Sequence, residues 1–255
     1  MAYKLNISKA GYDADDSDPR NLVFSSDFNA HKIYLSGSTN LSYSGGGSTS
    51  TLDIVTHSMG YHPAYMAFIE TPANSGKMYG WSRKPDSASP GPGINSGWWD
   101  VFSTTSKLQV DLSGANGTYP CSYIVFADNS KDNSVSRSYS GSYGLKIAKS
   151  GKAATSTNLK DFTFHSEYPP LSEITAVTLS TSGFIDTDQV AHGLGYRPAF
   201  SASADIDGLY KEVPWYTYAT FGYEVYVDDT YVYARSYAIA STDATYTVRL
   251  FNHEI

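Results

Sequence analysis

Residues His57–Tyr65 read HSMGYHPAY, and His192–Phe200 read HGLGYRPAF. A histidine, a Gly-Tyr pair and a proline recur at one spacing in both stretches. Each of these residue types has a chemical use, but a metal site or a general base also needs partners at fixed geometry. The shared pattern supplies no carboxylate and no second histidine, because His62 of the first stretch is Arg197 in the second. Backbone requirements account for the set more simply. Gly60 and Gly195 give conformations that other residues avoid, and Pro63 and Pro198 fix φ. His57 and His192 are expected to hydrogen-bond nearby backbone, with Tyr61 and Tyr196 packed over a corner. Alternating residues before the motif (Leu52–Val55) and an apolar run after it (Ala64–Ile69) make it a turn between two strands.

The corner belongs to a longer repeat. Leu5–Gly11 (LNISKAG) matches Leu145–Gly151 (LKIAKSG) at an offset of 140, which also pairs Phe24 with Phe164, Ser26 with Ser166, Asp27 with Glu167 and Phe28 with Tyr168. The two corners are 135 apart, Trp81 and Trp215 are 134 apart, and SYIVFAD (Ser122–Asp128) resembles TVRLFNH (Thr247–His253) at 125. The order of elements is kept while the offset falls, so the first copy carries extra loop residues. This is a tandem duplication, and each copy is large enough for its own core. Two similar domains are expected, 1–141 and 142–255, joined in the Ser-rich run Ser134–Tyr143.

The expected class is all-β. Charged residues are 17% of the 255, below the usual quarter, and Ser, Thr, Gly and 22 Tyr fill the gap. Aromatic and β-branched residues favour strands. Thr51–Thr56 and Ile174–Leu179 alternate in polarity, and Glu224–Arg235 reads as a hairpin turning at Asp228-Asp229-Thr230. Short strands with turn signals and no helical connections indicate an antiparallel sandwich in each copy, with a small barrel as the alternative.

Charge and cysteine usage narrow the function classes. A net charge of −7 argues against non-specific binding to nucleic acid or to anionic membranes. The start, MAYKLNIS, has no signal-peptide core, and no apolar run reaches membrane-spanning length, so synthesis in a cytoplasm is expected. The single cysteine, Cys121, rules out an intrachain disulfide or a thiolate cluster and sits among apolar and aromatic neighbours as a packing residue.

Three further stretches invite chemistry. Asp13–Asp18 is acid-rich but lacks the ligand spacing, glycine and terminal glutamate of an EF-hand loop, and Lys152–Ser156 of the second copy has no acid. Asn40–Ser50, rich in Gly and Ser, has no following GK[ST] and reads as a loop tip. Pro85–Asp100 holds about nine residues extra to the first copy and ends in Trp98-Trp99-Asp100. Adjacent tryptophans on a strand face opposite ways. Either both fill the core edge, or one is exposed as a platform for a sugar or protein partner. No catalytic triad, carboxylate pair or nucleotide fingerprint emerges, and no cofactor or metal is expected.

The opening KLNISKAGYDADDSDPRNLVFSSDFNAHKI, its partner GLKIAKSGKAATSTNLKDFTFHSEYPPLSEI and the repeated corner resemble virion proteins of tailed bacteriophages. In minor tail, tail-tip and fibre-type proteins such openings lead into small β-domains. The second copy departs from that pattern, with Gly151-Lys152-Ala153 where the first has Gly11-Tyr12-Asp13. The resemblance implies a non-enzymatic structural component of the virion, with other virion proteins as partners and a homo-oligomer or symmetric assembly. Capsid decoration is a close variant. A glycan-binding module using Trp98 and Trp99 on a host surface is a separate class, and a glycan-degrading enzyme is a third.

Overall fold

The computed structural model describes residues 6–8, 11, 13, 22–25, 32–71, 75–80, 98–128, 145–149, 151–156, 158, 161–165, 171, 173–182, 186–206, 208–213, 215–217, 221–237 and 243–255. The linker run 134–143, the acidic run beyond Asp13, Trp81 and the loop residues 85–97 lie outside them. The protein is all-β, with several antiparallel sheets. Its first nine strands are β1 (Asn6–Ser8), β2 (Leu22–Ser25), β3 (Lys32–Tyr43), β4 (Ser50–Thr56), β5 (Tyr65–Glu70), β6 (Met78–Gly80), β7 (Trp98–Ser103), β8 (Lys107–Ser113) and β9 (Gly117–Ala127). Then come β10 (Lys146–Ala148), β11 (Phe162–His165), β12 (Glu173–Thr181), β13 (Asp186–Ala191) and β14 (Pro198–Ile206). The last are β15 (Leu209–Glu212), β16 (Trp215–Thr217), β17 (Phe221–Val227), β18 (Tyr231–Tyr237) and β19 (Ala244–Glu254).

The chain divides into two compact units, Met1–Leu35 with Val125–Glu173, and Ser36–Ile124 with Ile174–Ile255. Both sequence copies contribute to each. The first unit holds two hairpins, β1–β2 and β10–β11. Asn6↔Ser25, Ile7↔Phe24 and Ser8↔Leu22 in one correspond to Lys146↔His165, Ile147↔Phe164 and Ala148↔Phe162 in the other, all at the offset of 140, and the register slips at the same step. A shared bulge at a shared step is a built feature of the repeat. In the second hairpin Phe162 is fully buried and meets the ring of His165 edge-on at 5.2 Å, while Lys146 lies 5.8 Å over its face.

The second unit carries three sheets. Their orders are β4-β8-β7, β12-β19-β14-β15, and the eight-stranded β13-β18-β17-β6-β5-β9-β3 with β16 added beside β17. Alternation sets which residues enter the core. On β8, Leu108, Val110 and Leu112 are buried, whereas Lys107 and Gln109 point outward and both hydrogen-bond the Asp53 carboxylate across the strand pair.

Neighbouring residues of β6 show how the sheets stack. Tyr79 meets Trp99 of β7 edge-on at 6.3 Å. Gly80 faces the other way: a Cβ there would lie 3.3 Å from the Phe200 ring of β14, and Phe200 also touches Phe68 at 5.3 Å between centroids. At β6, therefore, the three-stranded sheet lies against one face of the eight-stranded sheet and the four-stranded sheet against the other. Deeper in the second interface Tyr223 packs on Tyr246 at 6.5 Å, and the Tyr246 hydroxyl donates to the Arg235 carbonyl at 3.2 Å. Truncating Phe200, 1% exposed, removes a core ring that Gly80 was shaped to admit. Phe200→Ala is expected to cost about 3–5 kcal/mol in urea unfolding, with an unchanged spectrum of the remaining folded state.

Candidate functional site

The two corners follow the same hydrogen-bond plan. After β4, the His57 N–H donates to the Ser106 carbonyl at 2.8 Å; after β13, the His192 N–H donates to the Thr230 carbonyl at 3.1 Å. Each imidazole then turns back on its own loop. Nδ1 of His57 accepts the Met59 N–H, and Nδ1 of His192 accepts the Leu194 N–H, both at 3.2 Å. Nε2 of His192 reaches the Asp228 carbonyl oxygen at 3.1 Å. Gly60 and Gly195 have φ of 76° and 74°, the left-handed region that favours glycine. Pro198 opens β14 and Pro63 lies two residues before β5, both buried, and Tyr61 and Tyr196 are half-buried.

Each corner seats on a hairpin turn that is also repeated. In the β7–β8 turn, Oγ1 of Thr104 accepts the N–H groups of Ser106 and Lys107, at 3.3 and 2.9 Å. In the β17–β18 turn, Oδ1 of Asp228 accepts those of Thr230 and Tyr231, at 2.8 and 2.7 Å. A short oxygen-bearing side chain at the first turn position caps the N–H groups that the turn leaves unpaired. Burial works to raise the Asp228 pKa, but these N–H groups, the Tyr233 hydroxyl and His192 outweigh it and hold the carboxyl below its ordinary value. Burial and then Asp228 push the Tyr233 hydroxyl up to about 12.

The two tryptophans occupy unequal positions. Trp99 is 2% exposed and packs on Tyr79, so its ring belongs to the core; Trp98 is half-buried. Alternation in the sequence did not say which of them would face inward.

Other features were not legible beforehand. Tyr226 and Tyr233 stack at 4.7 Å and 15°, and the Lys77 ammonium sits 5.0 and 5.5 Å from their centres. A groove of about 430 Å³ runs along β3 and β9 to the end of β19, lined by Ser36, Ser38, Ser122, Tyr123, His253 and Glu254. Gly37 lets Tyr123 lie across β3, since a Cβ there would stand 2.9 Å from its hydroxyl oxygen. Burial lowers the His253 pKa, partly opposed by Glu254. In the first unit, burial and the neighbouring Lys149 pull Lys32 down to about 8. Cys121 is 1% exposed, and burial pushes its thiol up to about 12. Among the described residues no group of three or more His, Cys, Asp or Glu side chains is placed to hold a metal ion.

No family model, curated protein or solved structure matches this chain. In the corners' own geometry His192 spends both ring nitrogens on backbone groups, while His57 spends Nδ1 on one and keeps Nε2 buried without a hydrogen-bond partner. Burial lowers the His57 pKa from its ordinary 6.5, against the raising influence of the Lys107 and Thr104 backbone. A base depressed in the folded state binds its proton more readily when unfolded, so its contribution is complete above 6.5 and falls as pH drops through that value. His57→Asn keeps an acceptor for the Met59 N–H but cannot titrate. Between about pH 7 and about pH 5 the urea midpoint of this variant is expected to fall less than that of the parent. Gly60→Ala meets open space, so its expected loss of about 1 kcal/mol in the same assay is backbone strain alone.

Proposed function

We propose that this chain is a non-enzymatic structural component of a tailed-phage virion, an accessory tail, tail-tip or fibre-type protein, built as two tandem and similar antiparallel β-sandwiches from an internal duplication. The duplication rests on matching ladders. The order β3-β9-β5-β6 parallels β12-β19-β14-β15, and β4-β8-β7 parallels β13-β18-β17. Registers correspond as well: Trp99↔Leu112 and Val101↔Val110 stand where the second copy has Tyr223↔Ser236 and Val225↔Ala234.

One observation carries the functional reading. The first copy's β6 pairs with the second copy's β17, Tyr79 against Tyr226 and Met78 against Val227, so strands of both copies run in one continuous sheet. That arrangement suits a rigid building element, in which the recurring polar side chains serve the scaffold. The phage-like openings of both copies point to the particle it would serve, with other virion proteins as partners and the virion as its location. Capsid decoration remains the close variant. Mass spectrometry of purified virions is expected to detect the chain at a stoichiometry matching a particle symmetry; its absence would remove the proposal.

The groove favours a second reading, recognition of a host-surface glycan. Hydroxyls of three serines and Tyr123, with His253 and Glu254, offer donors and acceptors to a polar ligand. Tyr123→Ala should then abolish a glycan-array signal while leaving incorporation into virions intact.

A further inference from the structure

Of the asparagines in the chain, only Asn116 is followed by glycine. The pair closes the turn that joins β8 to β9, Gly117 being the first residue of β9. Ala115, Asn116, Gly117 and Thr118 are all exposed, so water reaches the Asn116 amide from the surface. A Cβ built on Gly117 would meet nothing within 4 Å. Neither a side chain of its own nor one from another strand crowds this side of its backbone, and glycine allows the widest range of backbone angles.

The Asn116 side chain is held from across the molecule's surface. Its Oδ1 accepts the Gly46 N–H at 2.9 Å, from the loop between β3 and β4. That loop is fixed in turn: the Ser113 hydroxyl donates to the Gly47 carbonyl at 2.7 Å, and the Gly47 N–H donates to the Tyr43 hydroxyl at 3.2 Å. On the turn itself the Tyr119 hydroxyl donates to the Ala115 carbonyl at 2.7 Å. A donor aimed at an amide oxygen draws electrons from the amide carbon. It also stabilises that oxygen once the carbon becomes tetrahedral and the oxygen takes negative charge. Gly46 therefore stands to Cγ of Asn116 as an oxyanion-hole donor stands to a reacting carbonyl.

We propose that Asn116-Gly117 is a self-modification site, at which the chain deamidates itself with water as co-reactant. The backbone nitrogen of Gly117 adds to Cγ of Asn116 while the Gly46 N–H holds the oxyanion at Oδ1. The Cγ–Nδ2 bond then breaks, and ammonia leaves with the proton released by the Gly117 nitrogen. Water opens the resulting cyclic imide at either carbonyl; one of its protons returns to the Gly117 nitrogen and the other is released from the new carboxyl. Attack at Cγ restores the ordinary peptide bond and leaves an aspartate. Attack at the main-chain carbonyl leaves the chain running through Cγ, as an isoaspartate. Either product carries one more negative charge. The aspartate still accepts the Gly46 N–H, whereas the isoaspartate lengthens the main chain by one carbon just before β9 and shifts its acceptor relative to Gly46. The inference needs neither the virion reading nor the paired sandwiches.

Peptide mapping by mass spectrometry of the purified protein, held folded in warm, mildly alkaline buffer, provides the test. The peptide containing Asn116 should gain about 1 Da and resolve into two products of equal mass, with fragmentation placing the change at position 116. The folded protein should react at least as fast as the same chain in urea, where the Gly46 donor is lost. Gly117→Ala, whose new methyl group meets open space, should keep the parent's urea midpoint and slow the reaction about tenfold. Asn116→Gln keeps an amide but would have to close a larger ring, and it should not react in the same time. The proposal is overturned if Asn116 of the folded protein stays intact, if it reacts more slowly than in urea, or if either variant reacts as fast as the parent.

Discussion

Two residues of β6 facing two residues of β17 hold the architecture of the second unit. Without the pairing of Tyr79 with Tyr226 and Met78 with Val227, the strands of the first and second copies would belong to separate sheets. Each would leave an edge of unpaired N–H and C=O groups. The ladder closes both edges at once, and the side chains make the joint firm. The Tyr79 and Tyr226 rings lie 4.8 Å apart, Trp99 closes one face, and Phe200 fills the space that Gly80 leaves on the other. A three-residue strand seldom persists by itself; this one is held by partners on both edges and both faces.

The corners play a different part. They fix where the chain turns from β4 towards β5 and from β13 into β14, and they do so with side chains that elsewhere serve chemistry. At His192 the imidazole accepts the Leu194 N–H at Nδ1 and donates from Nε2 to the Asp228 carbonyl, a short strut between two loops; His57 makes only the first of these bonds. Thr104 and Asp228 place a capping oxygen at the same point of the two hairpin turns. His62 and Arg197 differ more: His62 is exposed, whereas Arg197 is half-buried against Glu70.

Local features of the fold were legible in the sequence because short-range pattern determines them. The offset of 140 between openings reappears as two hairpins in one register, and the expected turn at Asp228-Asp229-Thr230 is the link between β17 and β18. Thr51–Thr56 and Ile174–Leu179 lie within β4 and β12. The joint between copies was not legible. Met78-Tyr79-Gly80 is too short to show a period, and its partner lies far along the chain, so the pairing depends on tertiary packing. Expecting one domain per copy also gave no hint that the openings of both copies would share a compact unit while the remaining strands share another. At Trp98 and Trp99, alternation separated the faces but could not orient them, since that depends on which side Tyr79 approaches from.

The state of Cys121 has a consequence for the protein's working life. A lone thiol sealed within β9, held almost wholly protonated at neutral pH, offers neither a nucleophile to alkylating agents nor a partner for mixed disulfides. In aerated water the folded protein would therefore keep this thiol unmodified. Oxidation at sulfur would fall instead on half-buried thioethers such as those of Met59 and Met66.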